Sequence, residues 1–288
     1  MCGEQSSKHK VTGIRLNKST GLRPRRKDGI SVAVKRCKNC GLLYSSPQPV
    51  PFDLQDHYGI PPEEYWRPEY FTWEPGYFEK EISKAKELLN FKSGMKALDI
   101  GAGLGKGMIS MANAGFDVYG LEASKPFFER AISKMKIDPA RLKLGMAENL
   151  EYQEEYFDFI TFAAVFEHLY HPAETLRRVV KWLKPGGIIH IEVPSSRHLI
   201  ARIYNLFYKL SGTNYVTNLS PMHEPFHMYE FGFKSFTELG KQLNLEVVDK
   251  TYYVCEIPFI PRVFHGVLTK YMEMTNTGMQ LTVWLKKK

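Results

Sequence analysis

Three groups of residues have types and spacings that can do chemistry. The first is Ala97-Leu98-Asp99-Ile100-Gly101-Ala102-Gly103-Leu104-Gly105, which reads as a strand running into a glycine-rich turn and then a helix. Glycines at the carboxyl end of a strand let the backbone approach a ligand closely, and the helix that follows offers unpaired N–H groups. A dinucleotide fingerprint needs Gly-x-Gly-x-x-Gly, but Lys106 stands where its third glycine belongs. A phosphate loop needs glycine at Ile100 and Ser or Thr at Gly107. Both uses are excluded. Seventeen residues after Gly105, Val118-Tyr119-Gly120-Leu121-Glu122 ends in an acid placed to accept the two hydroxyls of a ribose. The second group is rich in imidazole: Glu167, His168, His171, His190, His198, His223, Glu224 and His227. An imidazole takes a hydroxyl proton near neutral pH, and His168 is the first candidate for that base, with His223 and His227 next. The third is Cys37-Lys38-Asn39-Cys40-Gly41, with Cys2-Gly3 upstream. It reads as part of a zinc site before it reads as a disulfide.

Repeated β-α alternation positions the first two groups. Strands are predicted at 96–101, 117–122, 142–145, 157–164 and 187–193, with helices at 77–91, 104–114, 125–136 and 172–184. Strands whose apolar runs are continuous imply a parallel sheet covered on both faces. After Pro194 the rhythm breaks into an amphipathic helix, 199–210, and a His- and Pro-rich loop. A helix at 232–243 and strands near 245–254 and 279–286, the last two as an antiparallel pair, close the chain. The 199–210 helix suits a lid over an acceptor pocket; Arg202 and Lys209 among its apolar neighbours also suit a membrane surface. Residues 1–50 read as a small two-stranded module with a proline-stiffened exit. Residues 51–76 read as an aromatic connector that packs over something, and 77–288 as the main domain, with a lid insertion at about 195–231.

A chain of 288 residues, 43% apolar and 24% charged, has the composition of an ordinary globular protein. Its apolar runs are too short to span a bilayer and no signal peptide is evident, so a cytoplasmic location is expected. The net charge of +8 is concentrated at one end: eleven Lys/Arg fall in the first 40 residues against only Glu4 and Asp28. The basic segment is expected to be a solvated surface or a handle for an anionic substrate such as a nucleotide-linked sugar.

Taken together, the glycine turn and Glu122, in this β-α-β order, resemble the cofactor site of class I S-adenosylmethionine-dependent methyltransferases. The likeness continues in register through Gly145-Met146-Ala147-Glu148-Asn149-Leu150, Phe157-Asp158-Phe159-Ile160 and Leu183-Lys184-Pro185-Gly186-Gly187. It implies an α/β, doubly wound, Rossmann-like sheet of seven mostly parallel strands. It also implies S-adenosylmethionine as cofactor, held by Asp99, Gly101, Gly103, Gly105, Glu122, Ala147, Glu148 and Ala163. Met146 replaces an Asp common in the family, which leaves the adenine amino group to Glu148, the main chain or nothing. Val165-Phe166-Glu167-His168-Leu169 resembles the Glu-His-Leu segment of small-molecule members. Relatives acting on quinone precursors add a Glu where this chain has Ala164, and no Asn/Asp-Pro-Pro-Tyr/Phe motif follows the fourth strand.

Arg36-Cys37-Lys38-Asn39-Cys40-Gly41-Leu42-Leu43-Tyr44, followed by Pro47 and Pro49, resembles a narrower subgroup with an N-terminal zinc-binding, zinc-ribbon-like module. Many members of that subgroup work on sugars, polysaccharides and natural products. The resemblance implies structural zinc on Cys2, Cys37 and Cys40. A start upstream of Met1 would supply a fourth cysteine; otherwise His9 is the fourth ligand or the module is metal-free. Methyl transfer to a sugar-like small acceptor is the function it implies. The alternatives are an RNA methyltransferase using the basic module, a role otherwise not expected for nucleic acid, and a non-catalytic cofactor-binding partner.

Overall fold

The computed structural model describes residues 1–16, 31–50, 71–222, 226–255, 257 and 260–288. Its centre is a seven-stranded sheet of β4 (Lys96–Ile100), β5 (Asp117–Glu122), β6 (Leu142–Leu144), β7 (Phe157–Ala163), β8 (Leu183–Pro194), β10 (Leu245–Tyr253) and β11 (Gln280–Lys287). The order is β10-β11-β8-β7-β4-β5-β6. The five strands from β6 to β8 are parallel, whereas β11 runs antiparallel to both β8 and β10. The α/β doubly wound sheet implied by the resemblance is therefore the observed fold. Because β5 and β7 flank β4, the strand order reverses there, and the carboxyl ends of β4, β5 and β7 open on a crevice.

Period-two alternation explains why the sheet is covered on both sides. Ala97, Phe159 and Ile188 point to one face, under α1 (Glu79–Leu89), α2 (Lys106–Asn113) and α3 (Lys125–Ser133). Their neighbours Leu98, Ile160 and Ile189 point to the other, under α4 (Pro172–Trp182) and α6 (Phe233–Gln242). The amphipathic helix expected at 199–210 is α5 (Leu199–Leu210). Unforeseen in the sequence, α7 (His265–Thr275) sits between β10 and β11. Its weak apolar stripe buries only Met272, so periodicity gave no signal. No helix among the described residues is long and apolar enough to cross a membrane.

The N-terminal segment departs from the two-stranded reading. It contributes three antiparallel strands, β1 (Lys10–Leu16), β2 (Ser31–Arg36) and β3 (Leu43–Ser46), and β3 pairs in turn with β9 (Tyr229–Glu230). In β1, charged and polar residues interrupt the apolar ones, and its place comes from pairing with β2 and from the bonds of Ile14 to Asn214 and Val216. Within the aromatic connector only 71–76 lies among the described residues; there Trp73 Nε1 donates to Ser110 Oγ at 2.9 Å on α2.

Phe231, fully buried just after β9, packs its ring against the turn that follows β7 and against α6. Its ring lies 5.4 Å from that of Phe166 and 5.3 Å from that of Phe236. Phe231→Ala should lower the unfolding free energy by about 3–5 kcal/mol, measured by urea denaturation; a loss well under 1 kcal/mol would show that this ring is not part of the core.

Candidate active site

The glycine turn after β4 is shaped by contacts that leave no room for side chains. Gly101 has φ +75°, and a Cβ there would collide with Val165 Cγ2. The amides of Gly101 and Ala102 both donate to Leu121 O, which fastens the turn to β5. Glu122 completes the fastening: Oε2 accepts from Gly103 N and Oε1 from Ser124 N, each at 2.6 Å. Burial raises the Glu122 carboxyl above its usual range, and these amides work against the rise.

A cavity of about 270 Å³ opens at this point. Of the residues expected to hold a cofactor, Gly101, Gly103, Glu122, Ala147 and Glu148 line it. Both oxygens of Glu148 are buried without an ordinary hydrogen bond, and burial raises its carboxyl as well. Three expected residues stand back from the wall. Asp99 lies beneath the turn beside Gly107, where burial and nearby Glu122 push its carboxyl up to about 7. Gly105, at φ +78°, is the N-cap of α2, and a Cβ on it would come within 2.6 Å of Ile137 Cγ1. Ala163 ends β7, and its successors Ala164 and Val165 form the wall because the chain turns at Ala164, φ +55°. Ala123, Ser124 and Phe127 line the cavity and were not foreseen; Ser124 caps α3, a start that Ser-x-Pro at 124–126 signals.

At the other side of the cavity stand His168 and His227, whose rings lie 5.0 Å apart. Between them is Glu167, with Oε1 3.9 Å from His168 Nε2 and 3.8 Å from His227 Nε2. Main-chain bonds hold the group: Met228 N donates to Glu167 O at 3.0 Å, and His168 Nδ1 lies 3.3 Å from Phe226 O. With Nδ1 donating to that carbonyl, Nε2 is left as the acceptor. Burial pushes the Glu167 carboxyl up to about 8, with Glu192 adding to the rise, and pushes the His227 imidazole down to about 3, with His168 adding to the fall. His190 is not part of the group. It is fully buried against Trp284 and bonded to Thr161 Oγ1 at 2.8 Å. His223 and Glu224 lie outside the described residues.

A family profile described as a methyltransferase domain matches residues 73–250. The chain belongs to this family. Phosphoethanolamine N-methyltransferase 2 of Caenorhabditis elegans is 30% identical over 41% of this chain and 28% of that protein. Demethylmenaquinone methyltransferase of Bacillus mycoides is 32% identical over 38% of this chain and 50% of that protein. The chain thus spans half or less of the length of these curated relatives. A solved structure of Haemonchus contortus phosphoethanolamine N-methyltransferase 2 in complex with S-adenosyl-L-methionine shares the fold, with a TM-score of 0.50 and 16% identity over 75% of this chain and 53% of that one. The methyltransferase domain carries the crevice, Glu122 and the Glu167-His168 pair.

The third group of residues also converges. Sγ of Cys2, Cys37 and Cys40 lie within 4.8 Å of one another, with Cys2 and Cys37 at 3.5 Å, and none forms a disulfide. Glu4 Oε2 stands 3.2 Å from Cys37 Sγ, and His9 Nε2, buried without a hydrogen bond, is 3.9 Å from the same carboxylate oxygen.

The raised Glu167 carboxyl has a pH signature. The unfolded chain releases this proton near pH 4.5 and the folded chain near 8, so its contribution is fully present below about 4.5 and is lost as pH rises to about 8. His227 acts on the acid side, where stability falls as pH drops from about 6.5 toward 3. Between pH 6.5 and 8 only Glu167 of this pair titrates, so Glu167→Gln should flatten the fall in stability there relative to the parent chain. Denaturation midpoints across that range measure it, and parallel curves would remove the assignment.

Proposed function

We propose that this methyltransferase domain moves a methyl group from S-adenosylmethionine to a hydroxyl of a small, sugar-like acceptor, with His168 as base. The observation that carries the reading is the cavity itself, whose wall holds both Glu122 and the His168–His227 pair. The turn at Gly101, the carboxylate of Glu122 and the buried carboxyl of Glu148 fit the cofactor's ribose and base. When bound, S-adenosylmethionine supplies an electrophilic methyl on a sulfonium. The protein's part is to align the acceptor, exclude water and take one proton. His168 Nε2 would take that proton from the acceptor hydroxyl, the oxygen that the methyl would join as its bond to sulfur breaks and a neutral thioether leaves. Glu167, neutral at physiological pH, leaves the imidazole without an anion that would hold it protonated. The segment 195–231, which carries α5 and His227, is the proposed lid. Support for a sugar-like acceptor comes from the cysteine-bearing segment, whose strand β3 pairs with β9 two residues after His227.

The three cysteines suit structural zinc, with Glu4 or His9 at the fourth corner. Tetrahedral zinc with bonds of about 2.3 Å sets sulfur atoms roughly 3.8 Å apart, and these thiols are already close to that spacing. Burial pushes the Cys37 thiol up to about 12, so this thiol keeps its proton until a cation displaces it.

Glu122→Ala should weaken S-adenosylmethionine binding by about tenfold or more, and His168→Ala should keep that binding but lose turnover by about 100-fold or more. Calorimetry and a mass-detected acceptor screen, starting with nucleotide-linked sugars and including phosphoethanolamine, read both; unchanged turnover in the His168 variant would remove it as base. The purified chain should carry stoichiometric zinc by elemental analysis, and Cys37→Ser should lose it together with thermal stability; a metal-free parent of equal stability would overturn the zinc site.

A further inference from the structure

A second cavity, of about 490 Å³, lies between the cysteine turn and the amino end of α6, and it shares no lining residue with the crevice described above. Lys10, Arg36, Lys38, Arg197, Lys234 and Lys250 line it, and no carboxylate does so among the described residues. These six cations come from β1, β2, the cysteine turn, the segment after β8, α6 and β10. Like charges gathered from so many separate segments repel one another, and the arrangement lowers its energy by taking an anion.

Two observations at the floor show that the cavity is built to take a ligand. Ser196 is 3% exposed, lines the cavity, and its Oγ has no hydrogen-bond partner. A buried hydroxyl left unpaired is costly, and a ligand oxygen at this place removes the cost. The backbone around it is glycine. A Cβ at Gly232 would stand 3.3 Å from Ser196 Oγ and 2.7 Å from Cys40 O, and one at Gly41 would stand 3.8 Å from both Ser196 Oγ and Arg36 Nη2. The hydroxyl and the guanidinium therefore share one small floor that side chains would fill. Gly232 is also the N-cap of α6 and provides no side-chain cap, so the positive end of a ten-residue helix faces the same space. Phe233 and Tyr252 add aromatic walls, the first with Lys250 Nζ 3.9 Å from its ring centroid.

We infer that this cavity binds a diphosphate-bearing small molecule, of the nucleoside diphosphate class, through the six cations, the Ser196 hydroxyl and the amino end of α6. Six positive charges exceed what a single phosphate neutralises, and a diphosphate carries the charge and length to reach both the floor and the rim. Six cations gathered around one pocket from six segments favour a compact anion over a nucleic-acid backbone, which binds along extended grooves. The inference concerns binding alone and stands apart from methyl transfer at the crevice.

The test is calorimetric titration of the full chain as purified with uridine diphosphate, pyrophosphate and inorganic phosphate, and with a single-stranded RNA oligomer. The first two should bind and compete with each other, and inorganic phosphate should bind about tenfold or more weaker. Lys234→Gln with Lys250→Gln, both exposed and outside the core, should weaken uridine diphosphate about tenfold, and Ser196→Ala should weaken it further. All these variants should leave S-adenosylmethionine affinity unchanged. No binding by either diphosphate, an affinity insensitive to the double substitution, or RNA binding tighter than both diphosphates with a steep salt dependence would each overturn the inference.

Discussion

Glu122 is the contact on which the crevice depends. A carboxylate at the end of β5 accepts the amide of Gly103 from the turn after β4 and the amide of Ser124 at the start of α3. Two loops that would otherwise move independently at the carboxyl edge of the sheet are tied to one side chain. The cost is the desolvation that lifts its carboxyl above the ordinary range. A buried charge bonded to backbone amides is rigid, and rigidity here preserves the spacing between the glycine turn and the opposite wall. The position of the strand-order reversal, next to β4, decides that the crevice forms at this edge and not elsewhere along the sheet.

The opposite wall is held differently. Glu167 and His168 follow β7 on a short 3-10 turn, whereas His227 arrives from the segment after β8 and is held by main-chain bonds on either side, Ser220 N to His227 O and Met228 N to Glu167 O. Glu167, whose carboxyl burial pushes up to about 8, stands between the two imidazoles.

How legible each feature was in the residue order follows from how local it is. β5 and α5 coincide with their expected boundaries because the apolar period persists through them and capping or polar residues end them. Gly101, Gly103 and Glu122 were readable because a strand, a turn and the next strand suffice to bring them together. Ala163 fell one residue short of the wall because the positive φ of Ala164 is set by tertiary packing. Gly105 lies against Ile137, a contact that spacing does not reveal. β1 and β9 are strands by partnership, one charged and one two residues long, and no periodicity marks either. The six cations of the second cavity belong to segments far apart in the chain, so only the folded arrangement shows them to be neighbours.

β9 is two residues long, yet it forms the edge of the N-terminal sheet: Tyr44 of β3 stands opposite Tyr229, and the hydroxyl of Tyr229 reaches both Gln48 and the carbonyl of Tyr170. The thiol cluster at the far end of β2 and the imidazole of His227 are therefore attached to one continuous hydrogen-bonded ladder. The cysteine turn and the strand that follows His227 are held in one small sheet, so that neither shifts without the other.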